Sequence, residues 1–238
     1  MRMRKRHNLA PRMEKCREYL VNEPSLFRGC WKNEFYGKSK LFVELGCGKG
    51  SFTVKLADSE PDALVVAIER VPDAMILAME RAKREGVQNV LFLNTDAAEL
   101  NELFAPGEID RIYINFCDPW PKSRDAKFRL TAPAFLRVYC DCLKTEGEIH
   151  FKTDNLPLFD WSEEQFLKEG WEILSATRDL HSEGIPEIMT DYESRFHSEG
   201  IPIKKLMVRK TSRTLTTSAG PVGRLRNASL PDARGASE

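Results

Sequence analysis

From Lys40 onward the chain alternates short apolar runs with segments of helical length, and this alternation restricts the fold more than any other feature. Strands are expected at 41–45 (LFVEL), 64–68 (LVVAI), 90–93 (VLFL), 110–116 (DRIYINF) and 147–152 (GEIHFK). Helical patterns fall between them at about 50–58, 73–85, 97–104, 132–143 and 159–168, with Gly86, Gly107 and Gly147 as stops or turns. Strands that alternate with helices imply an α/β fold, a parallel sheet built from right-handed βαβ units. Two later strands, at about 171–178 and 203–209, bring the expected sheet to seven, with a long irregular stretch between those two. Beyond Lys210 the text reads "TSRTLTTSAGPVGRLRNASLPDARGASE", rich in Ser, Thr, Gly, Ala and Arg and without a periodic apolar face, so a disordered tail is expected over 211–238.

With 238 residues, 42% of them hydrophobic, the chain has enough apolar surface for one α/β domain with short extensions. No apolar run approaches the roughly 20 residues that span a bilayer, and "MRMRKRHNLAPRMEKCREY" carries charge but no apolar core of a signal peptide. The six cysteines (16, 30, 47, 117, 140 and 142) form no CxxC pair, so reduced thiols in a cytoplasmic protein are the simplest reading. Net charge is zero, which argues against a uniformly basic nucleic-acid binder, yet the charge is uneven. Residues 1–20 carry seven Arg and Lys against two Glu, and Lys122, Arg124, Lys127 and Arg129 stand against Asp125 alone. Two basic patches on a neutral body suit a catalyst that holds a polyanion and then releases it. "HSEGIP" occurs at 181–186 and again at 197–202, but no further ligand set accompanies its His and Glu, and no metal is expected.

"VELGCGKGSF" leaves the first strand and opens the first helix. Gly46, Gly48 and Gly50 permit a tight turn and the close approach of a ligand to backbone amides at a helix start. A dinucleotide fingerprint needs glycine at position 51, where serine stands. The pattern is instead Glu-x-Gly-x-Gly-x-Gly, beginning at Glu44, and it resembles the first motif of class I S-adenosylmethionine methyltransferases. After the second strand, Glu69 is placed to accept ribose hydroxyls of a nucleoside cofactor; after the third, Asp96 is placed to reach an adenine amino group.

The fourth strand runs into "NFCDPWPKSRDAKFRL", where two prolines bracket a tryptophan directly after Asp118. Prolines lose a donor and stiffen the chain, so the stretch reads as a rigid frame for a carboxylate and an indole. Trp120 either stacks on a base or fills space beside the prolines. Taken together, "DPWPKSRDAKFRLT", "KTDN" at 152–155 and "TDYESRF" at 190–196 resemble the bacterial tRNA (guanine-N7-)-methyltransferase family (TrmB type), over about residues 40–208.

The resemblance implies a Rossmann-like class I methyltransferase fold, a mostly parallel seven-stranded sheet with helices on both faces. It implies methyl transfer from S-adenosylmethionine, leaving S-adenosylhomocysteine, to N7 of the guanosine at position 46 in the tRNA variable loop, with no metal. It makes Glu44, Glu69, Asp96 and Asp118 the cofactor-contacting acids beside Gly46, Gly48 and Gly50, with Asp118 also catalytic. Lys122, Asp154, Thr190, Asp191, Tyr192 and Glu193 match substrate-binding positions, and Arg124, Lys127 and Arg129 fall where the family contacts RNA. There the family's usual run, of the form KKRHxKRR, is more basic: Ser123, Asp125 and Phe128 replace basic or His positions, which either weakens RNA binding or leaves a share of it to Arg2, Arg4, Lys5 and Arg6.

The expected division is a basic N-terminal extension with a lead-in helix at 1–39, a methyltransferase domain at 40–210 and the tail. The expected assembly is a monomer or a homodimer, with tRNA as partner and no membrane. The alternative activity keeps the cofactor and methylates an amino group of adenine or of a protein glutamine, although the usual form of that motif places both prolines before the aromatic. A non-catalytic RNA-binding protein on the same fold is the reading from another class, and the run of acids around the glycine loop argues against it.

Overall fold

The computed structural model describes residues 8–35, 37–184 and 187–216. Among these residues seven strands form one sheet: β1 (Lys40–Leu45), β2 (Ala63–Ile68), β3 (Val90–Leu93), β4 (Ile109–Asn115), β5 (Leu143–Thr153), β6 (Glu172–Thr177) and β7 (Lys204–Arg209). Their order is β3-β2-β1-β4-β5-β7-β6, with β7 the antiparallel member. The order reverses between β1 and β4, the position at which open α/β sheets place ligands outside the carboxyl ends of their strands.

Among the described residues eight helices surround the sheet: α1 (Leu9–Lys15), α2 (Trp31–Glu34), α3 (Ser51–Ser59), α4 (Pro72–Glu85), α5 (Leu100–Leu103), α6 (Pro133–Cys142), α7 (Leu156–Lys168) and α8 (Asp191–Ser198). Strand residues alternate between the two faces. Leu41, Val43, Leu45, Ile112, Ile114, Ile149 and Phe151 join a core with Leu100 of α5, Leu136 of α6 and Phe159 of α7. Phe42, Val65, Ala67 and Tyr113 join a second core with Phe52 of α3 and Met75 of α4. Helices therefore cover both faces, as expected. The second face also carries Glu44, Asn115 and Lys152 at the carboxyl edge, where Asn115 pairs in register with Lys152.

Three local differences from the sequence reading have physical causes. Gly147 is no turn but lies inside β5: a bulge puts residues 144–147 opposite Asp110, and Glu146 takes a left-handed conformation (φ 59°) there. The expected helix at 97–104 is a 3-10 turn, Ala97–Glu99, followed by the single turn of α5. The irregular stretch before β7 contains α8, closed by a capping box in which the Thr190 hydroxyl accepts from the Glu193 N–H and the Glu193 carboxylate reaches back to the Thr190 N–H.

The N-terminal segment is tied to the domain. Arg12 of α1 donates twice to Glu80 of α4, at 2.7 and 2.6 Å, and Trp31 is fully buried with its indole N–H on the Leu103 carbonyl. Residues 211–216, counted with the tail on composition, pack on the turn after α7, where the Leu215 N–H donates to the Glu169 carbonyl at 2.9 Å. Arg2, Arg4, Lys5, Arg6 and residues 217–238 lie outside the described residues.

Candidate active site

The four acids singled out by sequence all come to the carboxyl edge of the sheet, but they are not equivalent. Glu44 is buried beneath the glycine loop. Its carboxylate accepts from Thr53 Oγ1 of α3 at 2.5 Å and from Asn115 Nδ2 of β4 at 3.1 Å. Burial, partly offset by these two donors, raises its pKa to about 7. Glu44 thus joins three elements under the loop instead of facing open space.

Glu69 faces the loop from β2. One carboxylate oxygen accepts the Gly48 N–H and the other the Val71 N–H, both at 2.9 Å. Asp96 caps the 3-10 turn after β3 through the Ala98 N–H and pairs with Arg70 at 3.0 Å. The loop itself is held by the Ile68 carbonyl, which accepts from both Gly46 and Cys47. Gly50 has φ 72°, and a Cβ there would meet the Ala78 Cβ at 2.5 Å, so glycine is what lets α3 start against α4. Nothing lies within 4 Å of a Cβ built on Gly46 or Gly48, which leaves the outer side of the turn open.

Asp118 follows β4 and is exposed, with no hydrogen bond or ion pair to any described residue. Two large side chains flank it in left-handed backbone conformations, Phe116 (φ 52°) and Trp120 (φ 42°). Such a backbone is a genuine outlier for bulky residues, and strain of this kind gathers at functional sites. Burial pushes the neighbouring Cys117 thiol up to about 12, so it stays protonated and is no nucleophile at neutral pH. Trp120 packs on Phe128 with ring centroids 5.4 Å apart.

Arg129 is the brace of this loop. Its guanidinium donates to the Pro119 and Trp120 carbonyls, each at 2.9 Å, and lies 4.4 Å from the centroid of Trp161. These contacts engage the group expected to touch RNA, whereas Lys122, Arg124 and Lys127 are exposed. The basic run therefore divides into three exposed cations, of which Arg124 lies 3.9 Å from the Asp125 carboxylate and Lys127 lies over the Phe128 ring, and one structural cation.

The Thr190–Glu193 segment forms the opposite wall. Thr190 caps α8. Asp191 accepts from Ser51, directly after the glycine loop, at 2.7 Å and pairs with Arg81 of α4 at 2.7 Å. Glu193 is fully buried beside Lys152 of β5. Both carboxylates thus hold α8 in place, Glu193 from inside and Asp191 from the surface, and Tyr192, 51% exposed, presents its ring outward. Its ring centroid lies 5.4 Å from that of Phe116. Asp154 follows β5 half-buried, its carbonyl accepting from Lys204 Nζ at 3.0 Å.

His181 and His197, from the two HSEGIP copies, pack with ring centroids 4.4 Å apart; residues 185 and 186 of the first copy lie outside the described residues. Among the described residues no group of three or more His, Cys, Asp or Glu has a metal-binding arrangement, and no helix is long and apolar enough to cross a membrane. Thr53, Asn115, Lys152 and the bracing role of Arg129 were not anticipated. The Thr-x-x-Glu spacing of the α8 cap is visible in the sequence, but nothing local marks which buried charges meet across it.

The strand order, the glycine loop and the acids at successive strand ends define a class I methyltransferase. Among solved structures, the 16S rRNA methyltransferase KamB superposes with a TM-score of 0.57 at 20% identity, over 73% of this chain and 89% of that one. A family described as "Putative methyltransferase" matches residues 38–206. The tRNA (guanine-N(7)-)-methyltransferase of Brevibacillus brevis is 42% identical over 188 residues, 77% of this chain and 88% of that protein. Its counterpart in Alkaliphilus oremlandii is 38% identical over 210 residues, 88% of this chain and 99% of that protein. The chain belongs to the tRNA (guanine-N7-)-methyltransferase family.

Proposed function

We propose that this protein transfers a methyl group from S-adenosylmethionine to N7 of a guanine in the tRNA variable loop. The observation that carries the reading is an unpaired carboxylate, Asp118, on a stiffened loop at the same sheet edge as an open glycine turn. The residues fit the cofactor: the turn leaves room above Gly46 and Gly48, and Glu69 keeps lone pairs for ribose hydroxyls beyond the two amides it accepts. Asp96 is the acceptor for an adenine amino group, and Glu44 holds the floor of the turn.

S-adenosylmethionine supplies a methyl group already activated as a sulfonium. Guanine N7 has an in-plane lone pair and no proton to lose, so the protein needs no general base. Its work is positioning, which contributes about 7–11 kcal/mol in favourable cases, and stabilisation of the positive charge that grows on the purine. Asp118 is suited to the second task, either by its charge or by accepting from the guanine N1–H and N2–H2 edge. Lys122, Asp154 and Tyr192 complete the substrate side, while Arg124 and Lys127 take phosphates. A base has to leave its stack to enter such a pocket.

The test is methyl transfer from methyl-labelled S-adenosylmethionine to unmodified tRNA, followed by digestion to nucleosides. Label in 7-methylguanosine is the expected result. Equal transfer to tRNA carrying 7-deazaguanine at the target, or recovery of the label as N6-methyladenosine, would overturn it.

A further inference from the structure

Phe116 has no role in the reading so far, yet it is the residue on which three walls of the site meet. It directly follows β4 and stands two residues before Asp118. Its N–H donates to the Lys152 carbonyl at 2.9 Å, which fixes it to β5. Its ring touches that of Tyr192, and the helix carrying Tyr192 is tied through Asp191 to Ser51 at the glycine turn. One ring is thereby positioned by the Asp118 loop, the α8 wall and the cofactor turn together.

The side chain is not there to fill the core. Neither Phe116 nor Tyr192 belongs to either apolar cluster of the domain. Phe116 is half-buried with φ 52°, a conformation that glycine adopts freely and a bulky residue does not. The Phe116 and Tyr192 planes are tilted by 58°, so the two rings are not stacked face to face. Trp120, the other aromatic beside Asp118, differs: it packs on Phe128, and its backbone is fastened by Arg129. Of the two rings that flank Asp118, only Phe116 is linked to the wall that reaches the cofactor turn.

We propose that Phe116 is the platform on which the target purine stacks, with Tyr192 bounding the base at its edge and Asp118 beside its polar rim. This assignment rests on the tRNA reading above. Aromatic stacking tolerates any base, because every base has a π-face, so Phe116 holds the purine while the identity of the base is read by the polar groups around it.

The experiment compares Phe116→Leu, which keeps apolar volume without a π-face, with Phe116→Tyr, which keeps the ring. In methyl transfer to tRNA, F116L should lose roughly 10- to 100-fold in kcat/KM, and F116Y should stay within about threefold, with S-adenosylmethionine affinity within about twofold in both. A tRNA with 2-aminopurine at the target gives the readout that a purely structural role would not move. Its emission should be quenched on the wild type and on F116Y, and bright and unstacked on F116L. F116L with wild-type kcat/KM and wild-type quenching would overturn the proposal. Should F116L not fold, Phe116→Trp keeps the test open, since tRNA binding must then quench extra indole emission relative to the wild type, and no added quenching is equally fatal. A wild-type enzyme that transfers no methyl to tRNA would instead remove the underlying function, a separate outcome.

Discussion

Lys152 Nζ lies 3.4 Å from each carboxylate oxygen of Glu193, and both side chains are almost wholly out of solvent. Lys152 also meets Glu187 at 3.2 Å and the Ile188 carbonyl at 3.0 Å, so one ammonium on β5 gathers the whole approach to α8. Removing one partner of a buried pair leaves a charge that neither water nor protein satisfies. Glu193→Gln keeps the reach of the capping side chain but not its charge. Because Glu187 remains, the loss should sit near the low end for such pairs, about 3 kcal/mol. Urea unfolding checks it, and Lys152→Met added to E193Q should recover part of the loss. A change in E193Q below about 0.5 kcal/mol would show that the pair does not hold the helix.

Glu44 makes stability fall as pH rises. Its folded pKa is raised from 4.5 to about 7, so between those values the folded chain keeps a proton that the unfolded chain releases. Stability from this group is whole below pH 4.5, declines as pH climbs toward 7, and stays lower above it by roughly 3 kcal/mol. Glu44→Gln removes the titration. Between pH 5 and 8, without cofactor, the wild-type Tm should drop by roughly 6–12 °C more than that of E44Q. Parallel curves would refute the assignment.

Asp118→Ala should separate chemistry from cofactor binding. The carboxylate makes no hydrogen bond or ion pair within the described protein, so its removal costs the fold little. If it stabilises charge on the purine, turnover should fall about 10²- to 10³-fold. Calorimetry should find S-adenosylmethionine affinity changed by no more than about threefold. Near-wild-type turnover would take Asp118 out of the mechanism.

The basic loop should give two different phenotypes. Lys127→Ala, at an exposed cation, should weaken tRNA binding and reduce the slope of log affinity against log salt by about one. Arg129→Ala should leave that slope unchanged and lower stability and turnover, because its guanidinium secures the Pro119 and Trp120 carbonyls. Matching salt slopes for wild type and K127A would place the RNA elsewhere.

Local pattern carried the sheet well. All seven strands fall within a few residues of where apolar runs and breakers put them; β1, β2 and β3 are buried along nearly their whole length and read as near-continuous apolar runs. It failed where structure depends on partners distant in sequence. The eight residues of α8 are too few, and only Tyr192 and Phe196 among them apolar, to signal a helix by periodicity, although the Thr190–Glu193 box marks its start. Gly147 looks like a breaker until the bulge opposite Asp110 is seen. The same limit applies within the site. Glycines and strand-end acids announce themselves by spacing, but the contacts of Arg129 with the Pro119 carbonyl and of Asp191 with Ser51 join chain segments up to 140 residues apart.

The position of β7 has a consequence for biosynthesis. It lies between β5 and β6, and β6 has no other partner in the sheet, yet among the described residues β7 is the last strand in the chain. Until residues 204–209 emerge, the nascent chain carries an unpaired β5 edge and a detached β6, with α8 unable to dock between finished strands. The sheet is therefore closed in one step when residues 204–209 pair, and a growing chain with an exposed edge of this kind is a natural client for chaperones.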